Sequence, residues 1–322
     1  MSYQPLIEDI LEPIGILLKD LAASDGISEQ YPGGLDVLTW IQSTDAQPPN
    51  EYLISAPVSF PLIGLLQLIR FKAVCMSLGI TPDELPERFE GLSGHSQGVI
   101  VATAISTATS WTEYCDAAVK AVKILFWIGA RSSQAFKRKY SQPTQIGGII
   151  QGTPSPMLAI SNLTCEDLET AILKVNHDLP RHCHVHLALV NTLQDFVVSG
   201  PELTLNALGG SLIASKSASS VSLRFLPISV PCHSPLLDDT VSQIEKDLHD
   251  VSLVAGQLRQ IVNLTSSGSS IASGLASQEN LVPSLIRSIT SDLVGWTGVA
   301  FGGATHIIDF GPGSTGGIGS LT

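Results

Sequence analysis

The chain has 322 residues, 44% of them apolar, and a formal charge of −12 at pH 7. That length can bury a sizeable core in one large domain carrying a smaller insert. The acidic balance excludes a general nucleic-acid surface, which needs a basic face for phosphate contacts. No uninterrupted apolar run reaches the roughly 18 residues of a membrane span, and the acidic start lacks the basic n-region of a signal peptide. A cytoplasmic address is expected, with neither nucleic acid nor membrane as a partner.

Residues 5–24 carry Leu6, Ile10, Leu11, Ile14, Leu17, Leu18 and Leu21 at helical spacing, interrupted by Pro13, and predict a kinked helix or two short ones. Residues 35–41 predict a further helical piece. A long apolar helix is expected to start at Pro61 and to end before Gly79. Residues 90–92 then read as a short strand leading into Gly94-His95-Ser96-Gln97-Gly98, the pattern G-x-S-x-G.

This pentapeptide suits a sharp strand-to-helix turn. Glycines at its two ends leave room for the chain to reverse while Ser96 projects its hydroxyl. The small and apolar residues 99–108 form the helix behind it, whose N-terminus favours negative charge near Ser96. The backbone N–H of Gln97 then points where a carbonyl oxygen becomes an oxyanion. A second long helix is expected over residues 111–130. Strand and helices together indicate an α/β layout.

From about Ser155 the pattern changes. Strands at 157–160, 184–190, 195–199 and 222–229, with helices at 165–175 and 202–212, give the order β-α-β-β-α-β of a ferredoxin-like unit inserted into the larger domain. Residues 209–220 read as a low-complexity connection within it. Next, Pro231 and Pro235 bracket a loop that can hold His233 rigidly, followed by a helix over 238–249. The apolar residues 305–310 predict a buried strand, and the glycine-rich residues 311–319, lacking the Lys-Ser/Thr ending of a P-loop, a tight loop beside the active site.

Other reactive side chains point less clearly to chemistry. Cys75, Cys115, Cys165, Cys183 and Cys232 are odd in number and scattered, which speaks against a zinc site or a disulfide framework. His182, His184 and His186 would share one strand face and could hold a metal, but a solvated strand edge is the preferred account, so no metal is expected. Arg131, Lys137, Arg138 and Lys139 read first as a solvated face and second as a phosphate site.

With these residues in view, the chain resembles the acetyltransferase domain of the fungal fatty acid synthase β subunit, in the malonyl/acetyl transferase family, which is related to starter-unit acyltransferases. The resemblance covers nearly the whole chain, through Ser55-Ala-Pro-Val-Ser-Phe-Pro-Leu-Ile-Gly64, Gly94-His-Ser-Gln-Gly98, Phe126-Trp-Ile-Gly129, Pro154-Ser-Pro-Met-Leu-Ala-Ile-Ser-Asn-Leu163, Val198-Ser-Gly-Pro201 and Asp309-Phe-Gly-Pro-Gly313. It implies a hydrolase-like large subdomain with a parallel sheet (1–153 and 230–322) and a ferredoxin-like small subdomain (154–229).

It further implies Ser96 as nucleophile and His233 as base, with a backbone carbonyl orienting the histidine in place of an acidic triad member. Asp309 is then structural, and His306 a core or loop histidine. Acyl-CoA and the phosphopantetheine of an acyl carrier protein enter as substrates, with no bound cofactor. His95, Ile128 and Arg131 fall at substrate-binding positions. Malonyl-specific relatives place an arginine where this chain has Ile128, so an uncharged acyl group, acetyl or somewhat longer, is expected; Arg131 reads either as a second substrate contact or as a structural ion pair.

One departure is the family's opening strand and Gly-Gln-Gly loop, an oxyanion-hole donor, which finds no match here. The segment between Pro201 and Phe225 is also short for the family. The chain reads as a free-standing transferase-like unit or an excised piece of one. Two other functions stay open: a thioesterase that releases acyl chains from a carrier protein, and a non-catalytic transferase-fold partner of a synthase.

Overall fold

The structure is a computed structural model that describes residues 4–139, 150–215, 221–254, 262–263, 279–298 and 304–313. Helix α1 (Glu8–Ala22) buries Ile10, Ile14 and Leu18 on one face and stays continuous through Pro13. A proline so near a helix start removes a single ladder bond, the one to the Asp9 carbonyl. Asp36 caps α2 (Val37–Gln42) by accepting from the Thr39 N–H at 3.2 Å. The single turn α3 (Asn50–Leu53) leads into α4 (Ala56–Leu78).

Helix α4 starts before the expected Pro61, with Pro57 in its first turn. Pro61 therefore lies inside it and leaves the Pro57 carbonyl without an intrahelical donor. The buried Tyr31 hydroxyl takes that place, donating to the Pro57 carbonyl at 3.3 Å. By length and composition α4 is apolar enough to cross a membrane, and half of that stretch is buried inside the protein. Lys72 within it is 1% exposed and paired with Asp9.

After α5 (Leu85–Arg88), strand β1 covers Leu92–Ser93, one step nearer the turn than expected. Helix α6 (Gly98–Thr107) is buried on every side over residues 99–106, which its uniformly small and apolar sequence allows. Helix α7 (Trp111–Lys139) runs past its expected end at Ala130 and packs along α4. Gly129 permits the close approach: a β-carbon there would lie 2.5 Å from the Ala56 carbonyl oxygen.

The next elements are β2 (Met157–Ser161), α8 (Cys165–Asn176), β3 (His186–Val190), β4 (Asp195–Ser199), α9 (Glu202–Ala214) and β5 (Ser222–Phe225), in the order read from the sequence. Four boundaries differ from expectation by two residues or more. Arg181–Cys183 form a tight turn, so β3 begins only at His186 and the three histidines do not share one strand. Gly209 to Ala214 are helical rather than connecting chain, and residues 216–220 lie outside the described residues. Strand β5 stops at Phe225, before Pro227 removes a ladder donor. Helix α10 (Asp238–Asp247) ends two residues early.

The described chain continues with β6 (Val262–Asn263), α11 (Val282–Thr290) and β7 (Val294–Gly295). Strands β1 and β6 pair in parallel, Leu92 opposite Val262. The larger sheet has the order β5-β2-β4-β3-β7, antiparallel except for β7, which adds to β3 in parallel with Val190 opposite Gly295. Alternate side chains enter two cores. Leu158, Ile160, Phe196 and Val198 face α8 and α9, while Met157 and Val197 join the core of the helical body.

Residues 305–310 do not form the expected buried strand. No strand runs alongside them among the described residues, and Ile307 and Ile308 are about half exposed, at 48% and 53%. An apolar run becomes a strand only where a neighbouring edge takes its ladder bonds. Phe310 rests edge-on against Phe71, and the Gly311 carbonyl accepts from Arg70 of α4 at 2.6 Å. Residues 314–319 of the glycine-rich segment lie outside the described residues.

Candidate active site

The turn between β1 and α6 is built by an unequal pair of glycines. A β-carbon on Gly94 would lie 2.1 Å from the Gly98 carbonyl carbon, so only glycine fits there. A β-carbon on Gly98 would meet nothing nearer than Gln67 Nε2 at 3.9 Å, so its expected role of clearing space is not needed. Between them the chain reverses through a left-handed Ser96, φ +51°. For a residue with a β-carbon that conformation costs about 1–2 kcal/mol and marks a constrained position. The His95 and Ser96 carbonyls accept from the Gly98 and Val99 N–H groups at 3.0 Å each, closing the first turn of α6 and leaving the serine hydroxyl at the bend.

His233 reaches this bend from the proline-bracketed loop. It too is left-handed, φ +56°, and is 2% exposed. Its N–H donates to the Ile289 carbonyl at 3.1 Å and the Ser234 N–H to the Thr290 carbonyl at 2.9 Å, so the last turn of α11 anchors the loop. The Ser96 Oγ lies 2.7 Å from His233 Nε2 across 137 residues of sequence. On the other side of the ring, Nδ1 lies 3.0 Å from the Asp292 carbonyl.

These two contacts assign the proton. A carbonyl can only accept, so Nδ1 carries the hydrogen and Nε2 presents a lone pair to the serine hydroxyl. Burial first, opposed by the Asp292 bond and aided by nearby His95, pulls the His233 pKa down to about 4. The imidazole is therefore neutral at pH 7. A hydroxyl facing an oriented neutral imidazole can give up its proton while attacking a carbonyl.

His95 stands beside the pair. One ring nitrogen, Nε2, is 2.8 Å from Asn191 Oδ1, and the ring meets the indole of Trp296 edge-on with centroids 5.2 Å apart. Burial holds its pKa below the ordinary imidazole range, the Asn191 bond working the other way. Ile128 is fully buried in the main core.

At Arg131 the structure shows an ion pair, the second of its two expected roles. Its guanidinium donates to both carboxylate oxygens of Asp247, at 2.6 and 3.0 Å, and to Gln134 at 2.9 Å, and lies over the Trp127 ring. The Nε–Nη2 edge is thereby taken up in an ion pair with Asp247, and Nη1 in a hydrogen bond to Gln134. Asp309 accepts from the Gly311 N–H at 2.7 Å, and His306 is an exposed loop residue bonded to Thr305. The five cysteines are free.

Three contributors were not legible in the sequence by position. A backbone carbonyl such as that of Asp292 has no residue-type signature. Asn191 and Trp296 reach His95 only because β7 pairs with β3. The one available hint was Asn191 itself, a turn-forming residue directly after an apolar strand.

Residues 2–233, a span that includes both Ser96 and His233, match the family model described as starter unit:ACP transacylase in aflatoxin biosynthesis. The chain belongs to this family. As a starter unit:ACP transacylase family member it is 37% identical over 336 residues to the fatty acid synthase β subunit aflB of Emericella nidulans, covering 99% of this chain and 16% of that protein. With the fatty acid synthase subunit β of Schizosaccharomyces pombe it shares 38% identity over 337 residues, again covering 99% and 16%. The chain thus spans about a sixth of the length of these curated relatives.

Solved structures similar to this family member include malonyl-CoA:acyl carrier protein transacylase from Xanthomonas oryzae, with TM-score 0.64 and 18% identity over 99% of this chain and 82% of that one. The corresponding enzyme from Clostridium perfringens gives 0.57 and 17%, over 91% and 76%. At such identities the likeness is one of fold, a mixed α/β architecture with a sheet.

Proposed function

We propose that the chain is an acyltransferase that moves an uncharged acyl group from coenzyme A to the phosphopantetheine thiol of an acyl carrier protein, through an acyl-serine on Ser96. The observation that carries this reading is the 2.7 Å contact of Ser96 Oγ with His233 Nε2, on a ring whose other nitrogen is held by a carbonyl. His233 takes the hydroxyl proton as Oγ attacks the thioester carbonyl. The tetrahedral oxygen carries negative charge, which the Gln97 N–H at the start of α6 is placed in sequence to meet. Collapse breaks the C–S bond, and the proton on Nε2 passes to the departing thiolate, releasing coenzyme A as the thiol. In the second half the carrier thiol gives its proton to Nε2 and attacks the acyl-serine, and Ser96 leaves with that proton.

Two side chains support an uncharged acyl group. Ile128 offers no counter-charge, and the guanidinium of Arg131 is committed to Asp247. On this reading the site lies between a hydrolase-like part (1–153 and 230–322), which brings Ser96 and His233, and the ferredoxin-like unit (154–229), which brings Asn191. Both thiol carriers enter as substrates, and the chemistry asks for no resident cofactor or metal.

The test is transfer itself. Carrier protein bearing phosphopantetheine is mixed with hexanoyl-CoA or acetyl-CoA and the chain, and its mass is followed. Acyl-carrier should accumulate with the wild type and not with His233→Gln. Release of free acid without acyl-carrier would contradict transfer.

A further inference from the structure

We propose that Asn191 is a positioning residue for the catalytic pair: its amide fixes the His95 ring beside Ser96 and keeps the proton of that ring on Nε2, so that the residue preceding the nucleophile stays uncharged. The kinetic consequence rests on the acyl-transfer reading, whereas the placement of the proton does not.

The geometry begins at the sheet edge. Strands β3 and β7 run in parallel with Val190 opposite Gly295, so the next residues, Asn191 and Trp296, leave the sheet side by side. Both close on the same ring, the amide oxygen at 2.8 Å and the indole edge-on at 5.2 Å between centroids. An amide oxygen only accepts, which places hydrogen on His95 Nε2. Asn191 is itself held in a closed turn. Its N–H and that of Thr192 donate to the Asp195 carbonyl at 2.9 and 3.2 Å, and the Thr192 hydroxyl donates to the Asp195 carboxylate at 2.6 Å.

The choice of an amide has a consequence at His233. When Ser96 attacks, positive charge develops on the His233 imidazole, and the electrostatic influence of His95 on that ring is unfavourable to charge. A second charged imidazole there would oppose the proton transfer. Asparagine offers His95 a hydrogen bond without the carboxylate that would stabilise its charged form. Among the described residues, His95 meets the neutral groups Asn191 and Trp296, and the titratable group whose charge it influences is His233. The charged groups around the other end, Arg287 and the carboxyls of Asp292 and Asp238, lie on the α10 and α11 side of His233.

Imidazole nitrogen NMR on the full chain, wild type against Asn191→Asp and Asn191→Ser, reads this directly, with the pH profile of acyl-serine formation alongside. The wild type should show His95 as the neutral Nε2–H form at pH 7. Asn191→Asp should show an imidazolium at His95, an added ionisation in the pH profile and acylation slower by about tenfold, the scale of one adverse or lost polar contact. Asn191→Ser should release the ring into a mixture of tautomers, and it serves the same purpose if the aspartate variant does not fold. A charged His95 in the wild type, or an aspartate variant with unchanged nitrogen shifts and pH profile, would overturn the assignment. A wild type that forms no acyl-serine would instead overturn the transfer reading, and the nitrogen spectra would still decide the tautomer.

Discussion

Ser96 Oγ and His233 Nε2 meet at 2.7 Å, and each residue adopts a left-handed backbone to make that contact. Two unrelated loops are thus bent out of ordinary conformations toward one point, which is where a mechanism needs them. His233→Gln should slow acylation by about 10²–10⁴. The His233 pKa of about 4 means that wild-type acylation stays level from pH 8 to 5 and falls only as pH drops through about 4. Stability should follow with a different window. The unfolded imidazole takes up a proton below about 6.5, whereas the buried one resists it, so the stabilising contribution is full above that value and declines as pH falls from 6.5 toward 4. Chemical denaturation at several pH values should show this slope flattened in His233→Gln.

The two glycines of the turn make opposite predictions. Gly94→Ala drives a β-carbon into backbone 2.1 Å away and should cost at least about 3 kcal/mol or abolish folding. Gly98→Ala faces open space, with Gln67 Nε2 the nearest atom at 3.9 Å, at the start of a helix that alanine favours. Thermal melts should show it as stable as the wild type or more so.

Arg131→Ala should lower the melting temperature while leaving the preference for neutral acyl groups unchanged. The pair with Asp247 is largely buried, at 17% and 12% side-chain exposure, so its loss leaves a carboxylate poorly solvated at a cost of about 1–3 kcal/mol. Competition between malonyl-CoA and acetyl-CoA, measured alongside the melt, separates this structural role from a substrate contact. A shift in acyl preference would contradict it.

Tyr31→Phe isolates a single buried hydrogen bond. The hydroxyl serves the Pro57 carbonyl that Pro61 leaves without a helical donor. Its removal should destabilise the chain by about 1–3 kcal/mol, the cost of an unsatisfied buried acceptor, with the acylation rate per folded molecule unchanged.

Local pattern carried much of the architecture. The succession of short segments after Ser155 gave the order β-α-β-β-α-β, helical spacing placed α1, and the run of small and apolar residues after the turn placed α6. Failures came where a distant partner decided the outcome. Pro61 reads locally as a helix start, yet the Tyr31 hydroxyl lets α4 begin before it. Ile307 and Ile308 read as buried, but burial needs a neighbouring strand that the described residues do not supply. The pairing of Ser96 with His233 was implied by the family resemblance, while the sequence itself marked only the constrained backbone, through the G-x-S-x-G turn and the prolines around His233. Arg131 could not be assigned, since pairing with Asp247 depends on how α7 and α10 pack. Asp292 contributes a carbonyl, which every residue has.

The most direct measurement is the intact mass of the chain after brief exposure to acetyl-, hexanoyl- and malonyl-CoA, with Ser96→Ala beside it. A single added acyl group from the uncharged donors, absent in Ser96→Ala and discharged when carrier protein is added, is the predicted result. An adduct that persists in Ser96→Ala, or a wild type that stays unmodified by every donor while remaining folded, would contradict the assignment of Ser96 as the acyl-carrying nucleophile.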